Sequence, residues 1–452
     1  MTRKLFGDRV YRGQLNRRDF VRLAALSTAG CSLPPLLTGC AVNPVTGERQ
    51  LMLMSEGQEI AIDQQQSPHQ FSSDYGVVQD TSLNAYLDQV GKSLATHTHR
   101  PQIPYRFQAV NANYVNAYAF PGGSIAVTRG ILVNLNSEAE LAALLGHELG
   151  HVNARHTAAR MSKGTLLNVA LAGTSMVLGE SSLGGIADQL GQLGGAALLA
   201  HYSRDDERQA DALGMEYMVK SGYTPNGMVG LMELLLSLSQ HSPSAIEMMF
   251  STHPMSQERL TNSTHLSNTR WSFARPQKEG RERFMDSTAK LRRMKTAISA
   301  METAERQIAR KNFTEAQQDI NRYKKLAPRD YAGLVIQGKF HYVQSAYQQA
   351  APLFQAAIDA YPAEAQAHHL LGLTQLGLKK PEAALAQFND YERLLPGNPN
   401  TVFLQGIALE NLQRVDQAAL HYQRYLQQVN RGEQAQYAYQ RLLDWGYIKP
   451  QG

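Results

Sequence analysis

Cysteine is scarce in this chain of 452 residues, which contains only Cys31 and Cys40. So small a number excludes a fold held together by disulfides, and stability must come from packing. If a leader is cleaved just before Cys40, Cys31 is discarded and the thiol of Cys40 is acylated. The mature chain then has neither a free thiol nor an internal disulfide.

An excess of charge of one sign is also missing outside the first 39 residues. That segment holds seven of the 44 basic and two of the 39 acidic residues, which leaves 37 of each sign in the rest of the chain. A neutral remainder argues against a nucleic-acid-binding protein. A hydrophobic content of 43% suits globular domains, and the chain is long enough for more than one of them.

The segment 1–39 has the features of an export signal. Arg17-Arg18 resembles a twin-arginine signal, and the charge-free stretch 23–39 is too short and too rich in Ser, Gly and Pro to span a bilayer stably. The letters LTGC at 37–40 resemble a bacterial lipobox, whose cysteine is lipidated after cleavage. We therefore expect a signal peptide over 1–39 and a lipid anchor on Cys40. The alternative is a plain secretory signal with incidental cysteines.

The residue after the anchor predicts the membrane that holds the chain. Ala41, not Asp, follows Cys40, and by the usual lipoprotein sorting pattern this points to the outer membrane of a Gram-negative cell. Acyl chains rather than a membrane helix would provide the attachment. We expect a periplasmic location with a lipid anchor in the outer membrane.

The mature chain divides by composition into four segments. We expect a tether over 41–65, a mixed domain over 66–265, a charged, exposed connector with helical character over 266–296, and helical repeats over 297–446. The predicted fold class is α+β. It combines a mainly helical domain that contains a small sheet with an all-α solenoid behind it.

The solenoid is predicted from a period of 34 residues. Alanine recurs at this spacing, at Ala316, Ala350, Ala384 and Ala418. A large apolar residue follows each alanine by four positions, at Ile320, Phe354, Phe388 and Tyr422. This pattern resembles the tetratricopeptide repeat, with a capping helix at 433–446, and an irregular helical bundle is the alternative. Such a stack offers a concave surface for partner proteins and supplies no chemistry.

Chemistry is indicated by the stretch AALLGHELGHVNARH at 142–156. On a helix, His147 and His151 lie one turn apart on the same face, so their imidazoles can converge on one metal ion. Glu148 is offset by about 100° from His147, where it can flank the metal and deprotonate a water. His156 lies about 140° around from His151, so we expect it outside the ligand set, facing solvent or behind a ligand.

Zinc needs a third protein ligand and an open position. The segment 201–222 predicts a second helix, on which Glu207 and Asp211 share one face. Glu207 is the natural third ligand. Asp211 is placed to bond the outer nitrogen of a ligand histidine and fix its tautomer.

Together, HELGH at 147–151 and ERQAD at 207–211 resemble the gluzincin metallopeptidases related to HtpX and the CAAX prenyl protease. With the repeats, the chain is most similar to the tetratricopeptide-containing branch of beta-barrel assembly-enhancing proteases. The resemblance implies one zinc ion per chain and an endopeptidase of the envelope. It also implies partners: unfolded or misassembled envelope proteins, or the outer-membrane assembly machinery. This chain differs from a freely soluble periplasmic member of the family, because its leader predicts a lipid anchor.

The same resemblance implies three further features. The stretch 116–132, in which Ser124–Thr128 predicts a strand, would supply an edge strand that pairs with the substrate backbone; an ordinary hairpin is the alternative. His253 and Arg259 would lie over the cleft and stabilise an oxyanion, or His253 would act as a restraining fourth ligand. The segment 164–200 spans the bilayer in integral-membrane relatives. Acidic residues and glycines interrupt it here, so we expect a mobile, half-buried helical segment.

The predicted function is therefore a zinc-dependent endopeptidase in envelope protein quality control, with Glu148 as general base and then general acid. The alternative is a non-catalytic adaptor or chaperone lipoprotein in which the repeats do the work and zinc is structural. Glu148 argues against the alternative, because a structural site does not need that carboxylate beside its ligands.

Overall fold

A computed structural model describes residues 40–171, 201–241 and 246–449. The signal peptide expected over 1–39 lies outside the described residues, as does most of the Gly-, Ala- and Leu-rich segment 164–200. Only the beginning of that segment is described, and it belongs to a helix. Every helix in the described ranges is too short or too polar to span a bilayer.

The described chain opens with an antiparallel hairpin where a tether is expected over 41–65. Strand β1 (Cys40–Val42) pairs with β2 (Arg49–Leu51). Helix α1 (Glu56–Ser73) follows and begins with a capping box at Ser55.

The hairpin and the residues after it are bonded to the domain behind them. The Asn43 side chain donates to the carbonyl of Ala154 (3.4 Å), and the Leu53 amide donates to Ser162 Oγ (2.9 Å). The N-terminal segment is therefore packed against the domain and is not a free tether.

A three-stranded sheet packs beside α2 (Thr81–Ala95). The strands are β3 (Arg106–Val110), β4 (Ala117–Ala119) and β5 (Ser124–Thr128), in the order β3-β5-β4. Strand β5 runs parallel to β3 and antiparallel to β4.

The strand predicted at Ser124–Thr128 is present, but it is the central strand and not an edge. Both of its sides are paired, so its backbone has no free edge for a substrate. The free edge of the hairpin belongs to β4, whose three residues are all buried. The edge strand inside 116–132 is therefore β4, which begins seven residues before the predicted strand.

The helix of the HELGH stretch lies at the centre of the domain. After the short α3 (Arg129–Leu132), α4 (Glu138–Asn153) begins at Ser137, whose side chain accepts from the Glu140 amide, and every one of its residues is buried. It ends before Arg155, which adopts φ 58°, and α5 (His156–Leu171) starts immediately after this turn.

Five more helices are described between Arg204 and Arg292. They are α6 (Arg204–Lys220), α7 (Asn226–His241), α8 (Glu247–Thr252), α9 (Gln257–Asn268) and α10 (Arg281–Arg292). The connector predicted over 266–296 is helical as expected, because it contains α10. It is not simply exposed, since Phe284 of α10 is fully buried in the main core.

The repeats form a continuous run of antiparallel helices. They are α11 (Lys295–Ala309), α12 (Phe313–Leu326), α13 (Tyr331–Tyr342), α14 (Tyr347–Ala360), α15 (Gln366–Gly377), α16 (Pro381–Leu394), α17 (Pro399–Asn411), α18 (Val415–Gln428) and α19 (Glu433–Asp444). The last of these is the predicted capping helix.

The 34-residue pattern has a direct packing explanation. All four periodic alanines are fully buried. In three successive helix pairs a glycine faces the large ring of the next helix: Gly338 with Phe354, Gly372 with Phe388 and Gly406 with Tyr422. A Cβ at any of these glycines would lie 2.3–2.5 Å from a ring carbon. Small residues recur because two helices and an aromatic ring share the same space.

Buried charges fix the repeats to the first domain. The Arg129 guanidinium, 2% exposed, makes two bonds to the Asp330 carboxylate, at 2.7 and 2.9 Å. Asn113 donates to Glu305 of α11 (3.0 Å), and Lys339 donates to the Tyr75 hydroxyl (3.0 Å). The repeats are thus docked onto the domain through polar groups that are buried or only partly exposed.

Candidate metal centre

Four buried side chains bring ligand atoms to one point. They are His147 and His151 of α4, Glu207 of α6, and His253, which directly follows α8, and their ligand atoms all lie within 4.8 Å of one another. Nε2 of His147 lies 3.1 Å from Nε2 of His151, and Nε2 of His151 lies 3.3 Å from Glu207 Oε1. The structure therefore brings together the three predicted zinc ligands.

Glycines allow the two helices to approach this closely. A Cβ added at Gly150 would lie 2.8 Å from the Ala210 carbonyl oxygen, and one at Gly214 would lie 2.7 Å from the His147 amide nitrogen. The backbones of α4 and α6 are thus in direct contact. This contact explains why the HELGH stretch carries glycine between its histidines, and it sets Glu207 opposite them.

The donor set fits zinc. Two imidazoles and one carboxylate are the ligands of a catalytic zinc site in which a fourth position stays open. The Nε2 atoms of His147 and His151 face each other beside a carboxylate, and a cation held between them would bind the lone pair of each ring. The group can hold one metal ion.

Glu148 lies beside this point without belonging to the ligand group. It is fully buried, and among the described residues neither of its carboxylate oxygens has a hydrogen-bond partner. Burial raises the pKa of Glu148, and the opposing effects of His253 and His147 are smaller. A carboxylate with free lone pairs can take up a proton and release it again, and a raised pKa favours the uptake.

Asp211 bonds the outer nitrogen of a ligand histidine, at the place predicted for it. Its Oδ1 lies 2.8 Å from Nδ1 of His147. Burial by itself would raise the pKa of Asp211, but the charge of Arg259 and the bond to His147 lower it overall. The charged carboxylate is suited to hold His147 with Nδ1–H toward Asp211 and Nε2 toward the ligand group.

Arg259 faces carboxylates rather than open space. Its Nε and Nη2 each donate to Asp211 at 2.7 Å, and Nη1 lies 2.6 Å from Glu207 Oε2 and donates to the Pro254 carbonyl at 3.2 Å. All three nitrogens are engaged, so in this structure the guanidinium is not directed at an oxyanion. It clamps the two acidic residues of α6 in place.

His253 is turned into the ligand group. Its Nδ1 lies 3.0 Å from Glu207 Oε1 and 3.4 Å from His147 Nε2, and its Nε2 lies 3.8 Å from Glu148 Oε1. Burial alone would lower the pKa of His253, but Glu207 and Glu148 raise it overall. Of the two alternatives for this residue, the position favours the fourth ligand over the oxyanion stabiliser.

One neighbour of the site, Tyr202, has no clear signal in the sequence. The ring of Tyr202 stacks on His151, with centroids 3.8 Å apart and planes 21° apart. The Tyr202 amide donates to the Thr252 carbonyl (3.0 Å), which ties the start of α6 to the turn that carries His253. Tyr202 lies outside both motifs, and only the fold brings it to them.

His156 lies behind the ligand histidine His151, which is one of the two positions expected for it from the sequence. It is buried, so solvent exposure is excluded, and its Nδ1 lies 2.9 Å from Nδ1 of His151. The helix break at Arg155 brings it there, since a continuous helix would direct it elsewhere. Its spacing from His151 was visible in the sequence, but the break was not.

Comparison with known proteins gives two family matches. The peptidase family M48 matches residues 81–267, and the tetratricopeptide repeat family matches 294–365, 337–399 and 369–438. The first match contains every residue of the ligand group. The second covers the helices from α11 to α18.

Several characterised relatives share this first part. The chain is 26% identical over 260 residues to the beta-barrel assembly-enhancing protease of Escherichia coli (strain K12), covering 56% of this chain and 53% of the relative. It is 28% identical over 250 residues to the metalloprotease YcaL of the same organism, covering 52% and 93%. It is 28% identical over 213 residues to the mitochondrial metalloendopeptidase OMA1 of Arabidopsis thaliana, covering 47% and 41%. The chain thus spans about half the length of the first of these relatives.

Proposed function

Because residues 81–267 form a peptidase family M48 domain and tetratricopeptide repeats follow it, we propose that this chain is a zinc-dependent endopeptidase. One observation carries the proposal: His147, His151 and Glu207 converge, and the unpaired carboxylate of Glu148 is buried beside them. A purely structural metal site would have no use for a fully buried carboxylate without partners, which costs free energy.

The chain's own groups account for the proton transfers. When bound, zinc polarises the scissile carbonyl and makes a water molecule more acidic. Glu148 accepts the proton of the attacking water and delivers it to the leaving amine. Asp211 keeps His147 in the tautomer whose Nε2 faces the ligand group, and Arg259 holds Asp211 and Glu207.

Strand β4 is the proposed docking edge for the substrate backbone. The Phe120 amide donates to the Ser124 carbonyl, and the Thr128 amide donates to the Asn116 carbonyl. By the alternation of an antiparallel pair, the backbone groups of Ala117 and Ala119 then face away from β5. Ala119 also lines a small cavity together with His151. A peptide added to this edge would pass the ligand group, with affinity from its main chain and little choice of sequence.

The proposed setting is the bacterial envelope. We retain export by the arginine-pair leader, lipidation at Cys40 and outer-membrane anchoring as proposals supported by the leader sequence. The repeats would recruit unfolded or misassembled envelope proteins, or the machinery that assembles them. The name of one relative, the beta-barrel assembly-enhancing protease of Escherichia coli, supports this setting. Labelling with a radioactive fatty acid tests the anchor: wild type should incorporate it and a Cys40→Ser variant should not.

The decisive variant for the activity is Glu148→Gln. It keeps shape and volume but cannot carry a proton, so we expect normal folding and one bound zinc with cleavage of casein reduced by several orders of magnitude. Wild-type cleavage should stop when a chelator removes zinc and return when zinc is restored. Full casein cleavage by Glu148→Gln would overturn the mechanism. Absence of cleavage by zinc-loaded wild type would favour the non-catalytic adaptor.

Substrates can be sought with the same variant. Envelopes that contain Glu148→Gln in place of the wild type should retain bound polypeptides that the wild type removes. A quantitative proteomic comparison of the two envelopes would identify them. If outer-membrane proteins are unchanged between the two, the proposed quality-control role is wrong even where casein is cleaved.

A further inference from the structure

The two histidines of α4 are supported in different ways. His147 has a carboxylate, Asp211, on its outer nitrogen. His151 has another imidazole, that of His156, with the two Nδ1 atoms 2.9 Å apart. Ligand histidines usually donate this outer N–H to a carboxylate, a backbone carbonyl or water. A contact between two ring nitrogens is a hydrogen bond only if one of them carries a proton and the other does not.

The surroundings of His156 decide which nitrogen carries the proton. Its Nε2 lies 2.9 Å from Gln209 Oε1 and 3.5 Å from Asp206 Oδ1. Both are acceptors, and a carboxylate oxygen remains an acceptor whichever way the Gln209 amide is turned. Nε2 of His156 therefore carries the hydrogen. In the neutral ring, Nδ1 is then the acceptor.

This choice propagates to the metal centre. Because His156 Nδ1 accepts, the proton between the rings belongs to Nδ1 of His151, and the lone pair of that ring lies on Nε2. Nε2 is the atom that faces His147 Nε2 and Glu207 Oε1, at 3.1 and 3.3 Å. In the reverse arrangement, Nε2 of His151 would carry a hydrogen and could not ligate a metal.

We propose that His156 is a positioning residue of the metal centre: by accepting from Nδ1–H of His151 and donating to Gln209, it holds His151 in the tautomer that can bind zinc. The left-handed Arg155 and the start of α5 place His156 behind His151, while Tyr202 stacks on the face of the same ligand ring. The proposal rests on the zinc site of the proposed function and not on peptide cleavage.

Two amide substitutions separate this role from simple packing. The amide of His156→Asn can place an oxygen where Nδ1 lies and keep the acceptor. The amide of His156→Gln reaches the position of Nε2 and loses the acceptor, although it fills the volume better. His156→Phe keeps the ring shape without either nitrogen. His369→Phe, in the repeats, is the control for replacing a largely buried histidine elsewhere.

The measurement is the rate at which zinc-loaded protein loses its metal to an excess of chelator, followed with a zinc-sensitive dye. We expect His156→Phe and His156→Gln to lose zinc about 10-fold faster or more, as for other outer partners of ligand histidines. His156→Asn should stay near the wild type, and His369→Phe should match it. Thermal unfolding of each variant shows whether the fold is intact.

Three results would overturn the proposal. The first is zinc loss from His156→Phe at the wild-type rate. The second is zinc loss from His156→Asn as fast as from His156→Phe, and the third is slower loss from His156→Gln than from His156→Asn. In the last two cases packing, and not the acceptor, would decide the rate. Zinc release is measured without substrate, so a protein that fails to cleave casein still gives a clear answer.

Discussion

His253 lies where its side chain can act as a fourth ligand or, by moving away, leave that position open. It approaches Glu207 and His147 as closely as a fourth ligand would, and it lies beside Glu148. A histidine there would occupy the place that an attacking water and the scissile carbonyl need. In this position His253 would restrain access to a metal ion held by the other three ligands.

Removing this side chain should therefore increase activity. We expect His253→Ala to cleave casein several-fold faster than the wild type, because the open position becomes available without prior movement. His265→Ala, in the helix that follows, is the control. Slower cleavage by His253→Ala would favour the oxyanion role, and an unchanged rate would exclude both roles.

Single residues also show how far the sequence predicts the site. His147, His151 and Glu148 follow from helical spacing alone, because neighbours along one helix face are fixed by local geometry. Predicting Glu207 as a ligand required the second motif, because a single carboxylate on a polar helix does not by itself indicate a metal site. The orientation of Arg259 toward Asp211 depends on how α9 packs against α6, which no local pattern encodes.

Among the elements, the contact between α4 and α6 carries the site. Its distinguishing feature is the absence of side chains at Gly146, Gly150 and Gly214, where backbones meet. The sequence shows these glycines, but a helical glycine is usually a weak point with no stated partner. Their purpose becomes visible only when the opposing helix is in place.

A methyl group at this contact should disturb metal binding. We expect Gly150→Ala to lose about 1–3 kcal/mol of stability and to bind zinc weakly, because the new Cβ would meet the Ala210 carbonyl and push Glu207 away from His151. Gly57→Ala is a matched control, since that glycine in α1 has open space around it. It should be neutral or up to about 1 kcal/mol more stable.

Thermal unfolding and zinc content, measured on both variants, check this expectation. Stoichiometric zinc and a wild-type melting temperature for Gly150→Ala would show that the two backbones can separate without cost. The same result for Gly57→Ala carries no such meaning, because nothing opposes it.

The sheet shows where local reasoning failed. The pattern at Ser124–Thr128 correctly predicts a strand. Whether a strand is central or at an edge depends on partners far away in the chain, here Arg106–Val110. The short β4 was missed because three residues give too little periodicity to detect.

At the scale of the whole molecule, the ion pair of Arg129 with Asp330 joins the first domain to the repeats. Burial alone would raise the pKa of Asp330, but Arg129 lowers it overall, below its ordinary 3.8. A depressed pKa adds stability above 3.8, and this stability is lost as the pH falls through the folded-state value. The joint between the domain and the repeats should therefore weaken in acid.

The variant Asp330→Asn tests this pair. At neutral pH we expect it to cost about 3–5 kcal/mol, because Arg129 stays buried without its partner. The difference in melting temperature from the wild type should shrink as the pH falls below 3.8. Asp359→Asn, at an exposed position of α14, should melt like the wild type throughout. A difference that is independent of pH would rule out ionised Asp330 as the source.

The buried charges at this joint bear on how the chain can be dissected. Cutting away the repeats would leave Arg129 and Tyr75 facing solvent-filled space, stripped of Asp330, Glu305 and Lys339. A peptidase fragment prepared in that way would expose polar groups that have lost their partners through the truncation. If the fragment is inactive, the damaged surface is a sufficient explanation. The partners of the repeats should therefore be sought with full-length chains that are altered only on the outer helices of the solenoid.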